Sequence, residues 1–235
     1  MPPSNHLHPA GDSAITIDFG NIIDEKTNNM VIALFDYLRE KKLPGIKDII
    51  PAYSSITIVY DVAITRNQHR VASAFQFIKQ YVEDSMQHVD WNKTPSSRQI
   101  EIPVCYDPSL APDLYALASE KKISAEEVVQ LHCSKTYRVY MIGFLPGFAY
   151  MGKVDERITS PRKTNPDKIV HAGSVGIAGE QTGIYPLDSP GGWNIIGQTP
   201  MRMFDAGREE PVLLRAGDEV KFTPITLKEF LKLKL

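Results

Sequence analysis

The sequence is short of most features that fix a function class by composition. Only two cysteines, Cys105 and Cys133, occur in 235 residues. They form no CxxC pair and join no cluster, so neither a disulfide framework nor a zinc site is expected. Neither sign of charge dominates: 26 basic and 28 acidic side chains leave a net charge of −2. That excludes a general binder of nucleic acid or of an anionic membrane, either of which needs a basic face. Long hydrophobic runs are missing too. A stretch such as VYMIGFLPGFAYMG is too short, and too broken by proline and glycine, to cross a bilayer. The N-terminal MPPSNHLHPAGDS has no basic region followed by an apolar core, so no signal peptide is read there and the cytoplasm is the expected compartment. The six histidines form no HxxxH or HExxH pattern, and no metal site is expected. His6 and His8 fall in a segment expected to be mobile, and His132 is read as complementing the dipole at a helix end.

What is present reads as two units. In the first, Ala14 to Phe19 alternates apolar and polar residues as a half-buried strand does. Asp24 is a candidate N-cap for a helix carrying Val31, Leu34, Phe35 and Leu38 on one face and ending before Pro44-Gly45. Ile46 to Ala52 and Ser55 to Tyr60 are two further strands. Thr65 with Gln68 fits a capping box, opening a helix with Val71, Ala74, Phe75, Ile78 and Val82. The order strand, helix, strand, strand, helix predicts a ferredoxin-like α/β domain over residues 1–90 that lacks one edge strand. Asp90 to Arg98 then loses periodicity and gains proline, as a linker does.

The second unit, residues 98–235, begins with a strand at Gln99 to Cys105. Two short helices follow, Asp113 to Lys121 and Ser124 to Cys133, the latter with Ser124 and Glu127 as a capping box. Tyr137 to Phe144 is a strand; Val212 to Leu214 and Glu219 to Phe222 flank Ala216-Gly217-Asp218 as a hairpin; Thr226 to Leu235 is a closing helix. Short strands punctuated by turns predict a barrel or sandwich.

Within this unit, residues 160–200 hold seven of the fifteen glycines and five of the seventeen prolines. Such a segment specifies turns between short strands and holds its polar residues on a rigid frame. Two motifs near it fail on local detail. GFAYMGK (147–153) has phosphate-loop spacing, but Val154 supplies no hydroxyl for magnesium and the loop is too apolar. An aromatic hairpin or core turn is the better reading. Ala172-Gly173-Ser174-Val175-Gly176 has the look of a nucleophile elbow, but glycines crowd the helix that should follow, and no acid to orient His171 is evident from spacing. Asp188 to Trp193, DSPGGW, reads equally as a hairpin that tucks Trp193 into the barrel and as a ligand-site turn.

The stretches GDSAITIDFG, IPVCYDPSLAPDL, EEVVQLH, YRVYMIGFLPGFAYMG, SPR, AGSVGIAGEQTGIYPLDSPGGWNIIGQTP and AGDEVKF carry a resemblance from Gly11 to Phe222. The chain resembles the family that includes the B subunit of 5-oxoprolinase, the sporulation-kinase inhibitor and the subunit 1 part of allophanate hydrolase or urea carboxylase. The resemblance implies an α+β protein with a small N-terminal domain and a cyclophilin-like β-barrel. It implies two partners, a homologous C subunit and the A subunit, in opening 5-oxoproline with ATP and magnesium, this chain being inactive alone. The same resemblance allows a non-catalytic inhibitor of a sensor histidine kinase, or a carboxyltransferase-like subunit of an allophanate- or urea-using system. Prolyl isomerisation would rest on the fold alone, and fold does not carry function.

Under the oxoprolinase reading Arg162 is expected to neutralise phosphate or carboxylate, and Gln181, Thr182 and Tyr185 to orient the substrate amide. His171, Gly173, Ser174, Gly191, Gly192 and Trp193 are the expected substrate contacts, with turn amides around Gly173, Gly176 and Gly192 meeting an oxyanion or phosphate. Two positions depart from the family pattern. His171 stands where proline is usual, and Gln198 where arginine often precedes Thr-Pro, which puts in doubt an anion contact at 198.

Overall fold

In a computed structural model, which describes residues 6–20, 22–92 and 97–234, the chain divides into two compact units, Met1–Ser96 and Ser97–Leu235. Of the expected linker, residues 93–96 lie outside the described residues.

The first unit is an antiparallel sheet with helices. Its elements are β1 (His6–Pro9), β2 (Ala14–Asp18), α1 (Glu25–Lys41), β3 (Ile46–Pro51), β4 (Ser55–Tyr60), α2 (Val62–His69) and α3 (Ala74–Met86). The strand order is β1-β2-β4-β3. The edge strand that the sequence reading left out is therefore supplied by the N-terminal segment: His6 and His8 are paired with Asp18 and Thr16 in β1. Asp24 caps α1 as expected, accepting from the Lys26 and Thr27 amides at 3.0 Å each. The helix expected from Thr65 is in fact two. Asp61 caps α2 through the Ile64 amide at 2.9 Å, and Ser73 caps α3 through Gln76. Thr65, the expected cap, is fully buried inside α2. Ile15, Ile17, Leu34, Ile56, Ile58, Ile78 and Val82 fill the core on one face of the sheet.

The second unit contains β5 (Gln99–Cys105), α4 (Leu114–Lys121), α5 (Ala125–Ser134), β6 (Thr136–Ile142), β7 (Ala149–Gly152), β8 (Asp167–Val170), β9 (Ser174–Ala178), β10 (Gln181–Ile184), β11 (Ser189–Gly191), β12 (Asn194–Gln198), β13 (Glu219–Ile225) and α6 (Leu227–Leu233). Seven strands close a barrel in the order β10-β7-β6-β13-β5-β12-β9, and β8 with β11 forms a separate ribbon. Val139, Met151, Val175, Ile177, Ile184, Val220 and Phe222 are among the residues that fill the interior. Alternation along β9 and β10 sends Val175, Ile177 and Ile184 inward and Gly176, Ala178 and Gly183 outward.

The hairpin expected around Gly217 is not formed. Val212 bridges Phe204, and β13 lies between β5, to which it runs parallel, and β6. Asp218 accounts for the difference. Its buried carboxylate is gripped by the Arg98 guanidinium at 2.9 and 2.5 Å and by the Arg215 amide at 2.7 Å, while the Gly217 amide donates to Val139. The turn is thus tied to β5 and β6. GFAYMGK forms no phosphate loop, since it runs into β7 with Phe148 and Met151 buried. No helix among the described residues is long and apolar enough to cross a membrane.

Candidate functional site

The outer face of β7, β10, β9 and β12 carries a second apolar layer of Phe148, Val170, Ala178, Tyr185, Trp193 and Ile195. Trp193 lies close against the wall because a Cβ at Gly176 or Gly183 would stand 3.0 Å from it. Phe148 meets Tyr150, Tyr185 and Trp193 edge-on, with centroids 4.7, 5.2 and 5.4 Å away. The expected substrate contact Trp193 is thus 4% exposed and belongs to this layer.

Arg162 belongs to a segment pinned on both sides. The Gly179 amide donates to Ser160 at 2.6 Å, the Asn194 side-chain amide to the Pro161 carbonyl at 2.9 Å, and the Lys163 amide to Gly192 at 2.7 Å. Lys163 Nζ then bridges Asp113 at 2.7 Å and Asp167 at 2.6 Å. Burial opposes its charge, but the two carboxylates outweigh burial and raise its pKa. The Arg162 side chain itself is exposed, with no hydrogen bond or ion pair among the described residues. Its charge reaches two phenols: burial raises Tyr150 and Tyr185, and Arg162 works against that rise in both. Gln181 and Gly183 share an outward face with Tyr150, the direct partner of Gly183. The structure therefore brings Arg162, Gln181 and Tyr185 to one wall, with Tyr150 as a member that the sequence reading missed.

Thr182 is not on that wall. It points inward, is fully buried, and lies 2.9 Å from His132 Nε2. His132 is fully buried as well, and burial lowers its pKa to about 3. A neutral imidazole cannot complement a helix dipole, so the expected role of His132 is corrected: it is an interior hydrogen-bonding group.

Against Val170 and Ile195 of this layer lies a cavity of about 450 Å³, lined also by Asp113, Lys163, Lys168, His171, Ser174 and Gln198. His171 Nδ1 is 3.2 Å from Asp188 Oδ2, and the Ala172 amide donates to Asp188 Oδ1 at 2.7 Å. That amide, and after it His171, holds the Asp188 carboxyl below the usual range. Asp188 is the orienting acid that spacing did not reveal. Pairing of Val170 with Ser189 across the ribbon brings positions 171 and 188 together. No elbow forms at Ser174, which opens a strand. The amide cradle expected at Gly173 and Gly176 is also absent. The Gly173 amide donates to Tyr185 at 2.7 Å, and Gly176 sits mid-strand between β10 and β12. Gly191 leaves room for Tyr185, and Gly192 holds Lys163 through its carbonyl.

Comparison with known proteins agrees over nearly the whole chain. The 5-oxoprolinase B subunit of Bacillus subtilis (strain 168) is 42% identical over 226 residues, 95% of this chain and 94% of that protein. The protein of the same name from Escherichia coli O157:H7 is 43% identical over 183 residues, 77% of this chain and 79% of its own length. The crystal structure of TTHA0988 superposes with a TM-score of 0.77 at 35% identity, covering 90% of this chain and 40% of that longer one. The family model for the carboxyltransferase domain, subdomain C and D, matches residues 5–214, and the chain belongs to that family.

Proposed function

We propose that this chain is the B subunit of an ATP-dependent 5-oxoprolinase, working with a homologous C subunit and with the A subunit to open 5-oxoproline to glutamate. The observation that carries the reading is end-to-end similarity to a protein of that name, 42% identical over 95% of this chain. The geometry supports it. Amide resonance makes a lactam a poor electrophile, and coupling to ATP replaces it with a phosphorylated, more reactive one; phosphoryl transfer then depends mostly on positioning and charge stabilisation. Arg162, fixed at the backbone and unpaired at the guanidinium, suits a phosphate or carboxylate, which its planar fork binds in bidentate fashion. Its charge acts on the Tyr150 and Tyr185 phenols, and Gln181 lies on the same outward face as Tyr150. Among the described residues no group of three or more acidic, histidine or cysteine side chains is placed to hold a metal ion. Magnesium ligands are therefore assigned to the partner proteins and to ATP itself.

The test mixes the purified chain with candidate C and A subunits and follows 5-oxoproline-dependent release of ADP and glutamate. Turnover is expected only in the complete mixture. No turnover there, together with tight binding to a sensor histidine kinase, would replace this reading with the inhibitor one.

A further inference from the structure

The cavity beside the aromatic layer has a floor of unusual chemistry. Ser174 opens β9, Gln198 closes β12, and the two are direct partners in the strand register. Their side chains therefore leave the sheet on one face, about 5 Å apart. Each is only 6% exposed, and each lines the cavity. The Gln198 carboxamide can sit only one way round. The Ala172 carbonyl, 2.6 Å away, accepts but cannot donate, so the amino group must face it and Oε1 is the atom left over. Among the described residues neither Gln198 Oε1 nor the Ser174 hydroxyl makes a hydrogen bond. Two neighbouring polar groups that have no protein partner and open into the cavity form an edge suited to a ligand.

We propose that Gln198 and Ser174 form a subsite for a cis amide, taking an N–H on Gln198 Oε1 and the neighbouring carbonyl on the Ser174 hydroxyl. A small ring forces its amide to be cis, which places N–H and C=O on the same edge of the molecule. An acceptor and a hydroxyl standing side by side meet both. A trans peptide amide, whose N–H and C=O point in opposite directions, meets one of them. A phosphate or carboxylate has no N–H to offer, and its oxygens face the Gln198 oxygen. Lys163 is already shared between Asp113 and Asp167. Lys168 also lines the cavity and supplies a cation for a carboxylate on the ring. The ligand class is thus a small lactam acid. Its identification as 5-oxoproline rests on the oxoprolinase reading above, while the donor and acceptor order of the edge does not. Gln198 becomes a specificity residue, because its free acceptor oxygen favours a ligand that carries an N–H.

The experiment titrates the ¹⁵N-labelled full chain with 5-oxoproline, N-methyl-5-oxoproline and succinimide. Saturable shifts at Ala172, Ser174 and the Gln198 side-chain amide are expected with 5-oxoproline and succinimide. The N-methyl compound, which cannot donate, should bind about tenfold more weakly or worse. Gln198→Met keeps length and removes the acceptor; it should erase the difference between 5-oxoproline and its N-methyl form. In the assembled complex it should raise KM for 5-oxoproline about tenfold with a smaller change in kcat. The analogue comparison on the unaltered chain decides the matter even if that variant does not fold. Equal binding of 5-oxoproline and its N-methyl form, shifts confined to other residues, or no shift while the complex turns over would each overturn the subsite. A complete mixture without turnover overturns the oxoprolinase reading instead, and succinimide binding then still reports on the edge.

Discussion

His132 Nε2 lies 2.9 Å from Thr182 Oγ1 in the interior of the barrel, and this contact sets the direction of a whole chain of hydrogen bonds. Thr182 Oγ1 is also 3.0 Å from the Gly176 carbonyl, which only accepts, so the hydroxyl proton goes there. The threonine oxygen must then accept from His132 Nε2–H. A neutral imidazole protonated at Nε2 leaves Nδ1 to accept from the Tyr106 hydroxyl at 2.8 Å, and the Tyr106 oxygen is free to accept from Cys133 Sγ at 3.3 Å. Helix α5 is joined to β9 and β10 through groups whose protons have only one consistent arrangement.

Thr182→Val preserves shape and removes the hydroxyl. It leaves the His132 N–H without an acceptor in a site that water does not reach, a loss of about 1–3 kcal/mol. Thermal unfolding should fall by roughly 2–4 °C for each kcal/mol in a protein of this size. A melting temperature unchanged to within about 1 °C, well under that scale, would mean that His132 finds another acceptor, and the directed chain would be wrong.

The depressed pKa of His132 makes stability depend on acid in a definite sense. Its folded value is about 3, whereas an unfolded histidine titrates near 6.5. Between these values only the unfolded chain takes up the proton. The stabilising contribution is therefore complete above pH 6.5, declines by about 1.4 kcal/mol for each pH unit below it, and is gone below about pH 3. Carboxylates add their own acid dependence. The difference between the parent chain and His132→Gln isolates the histidine term. Urea midpoints at pH 7, 6, 5 and 4 should fall more steeply for the parent, even though the variant starts lower. Parallel slopes would contradict a neutral, buried His132.

Gly191 and Tyr185 fit together only because one of them has no side chain. A Cβ at 191 would collide with the Tyr185 hydroxyl and stand 2.8 Å from Cζ. Tyr185 is 1% exposed under the aromatic layer and has nowhere to retreat. Gly191→Ala should cost about 1–3 kcal/mol. Tyr185→Phe removes the atom that clashes most, so the double variant should recover part of that loss, with a coupling of about 0.5 kcal/mol or more by a double-mutant cycle. Additive effects would show that the ribbon carrying Gly191 moves aside instead.

Much of the fold was legible because its signals are local. Asp24 and Ser124 accept from the amides that their sequence contexts imply, and β5 spans Gln99–Cys105 as its apolar pattern suggests. The misreadings come from choices between local signals or from pairings at long range. Thr65 with Gln68 imitates a capping box, but Asp61 and Ser73 hold the amides that need caps. The hairpin at Gly217 lost to Arg98, 120 residues away from Asp218. In the site, Asp188 reaches His171 only through ribbon pairing, and no spacing rule announces it. Thr182 is different, since a signal was present. In Gln181-Thr182-Gly183-Ile184 the period of two places Thr182 with Ile184, on the inward face, and counting it would have separated Thr182 from Gln181.

Lys163 holds the backbone on which Arg162 is presented, so the two neighbours should fail in different ways. Arg162→Ala removes an exposed, unpaired side chain, and stability should stay within about 0.5 kcal/mol. Activity of the assembled complex should nevertheless drop about a hundredfold, the usual scale for losing a group that stabilises charge in the transition state. Lys163→Met leaves Asp113 and Asp167 facing each other without the cation that they share, and Asp113 is only 18% exposed at its side chain. A cost of about 1–3 kcal/mol is expected. The amides of residues 162–168 should exchange faster in deuterium, since the tie to α4 and β8 is gone. Activity should fall because Arg162 is no longer fixed, and Lys163→Arg, which keeps the charge, should recover part of it. If Lys163→Met loses stability while the complex keeps full turnover, Arg162 does not depend on this anchor, and the pinned segment is a structural feature alone.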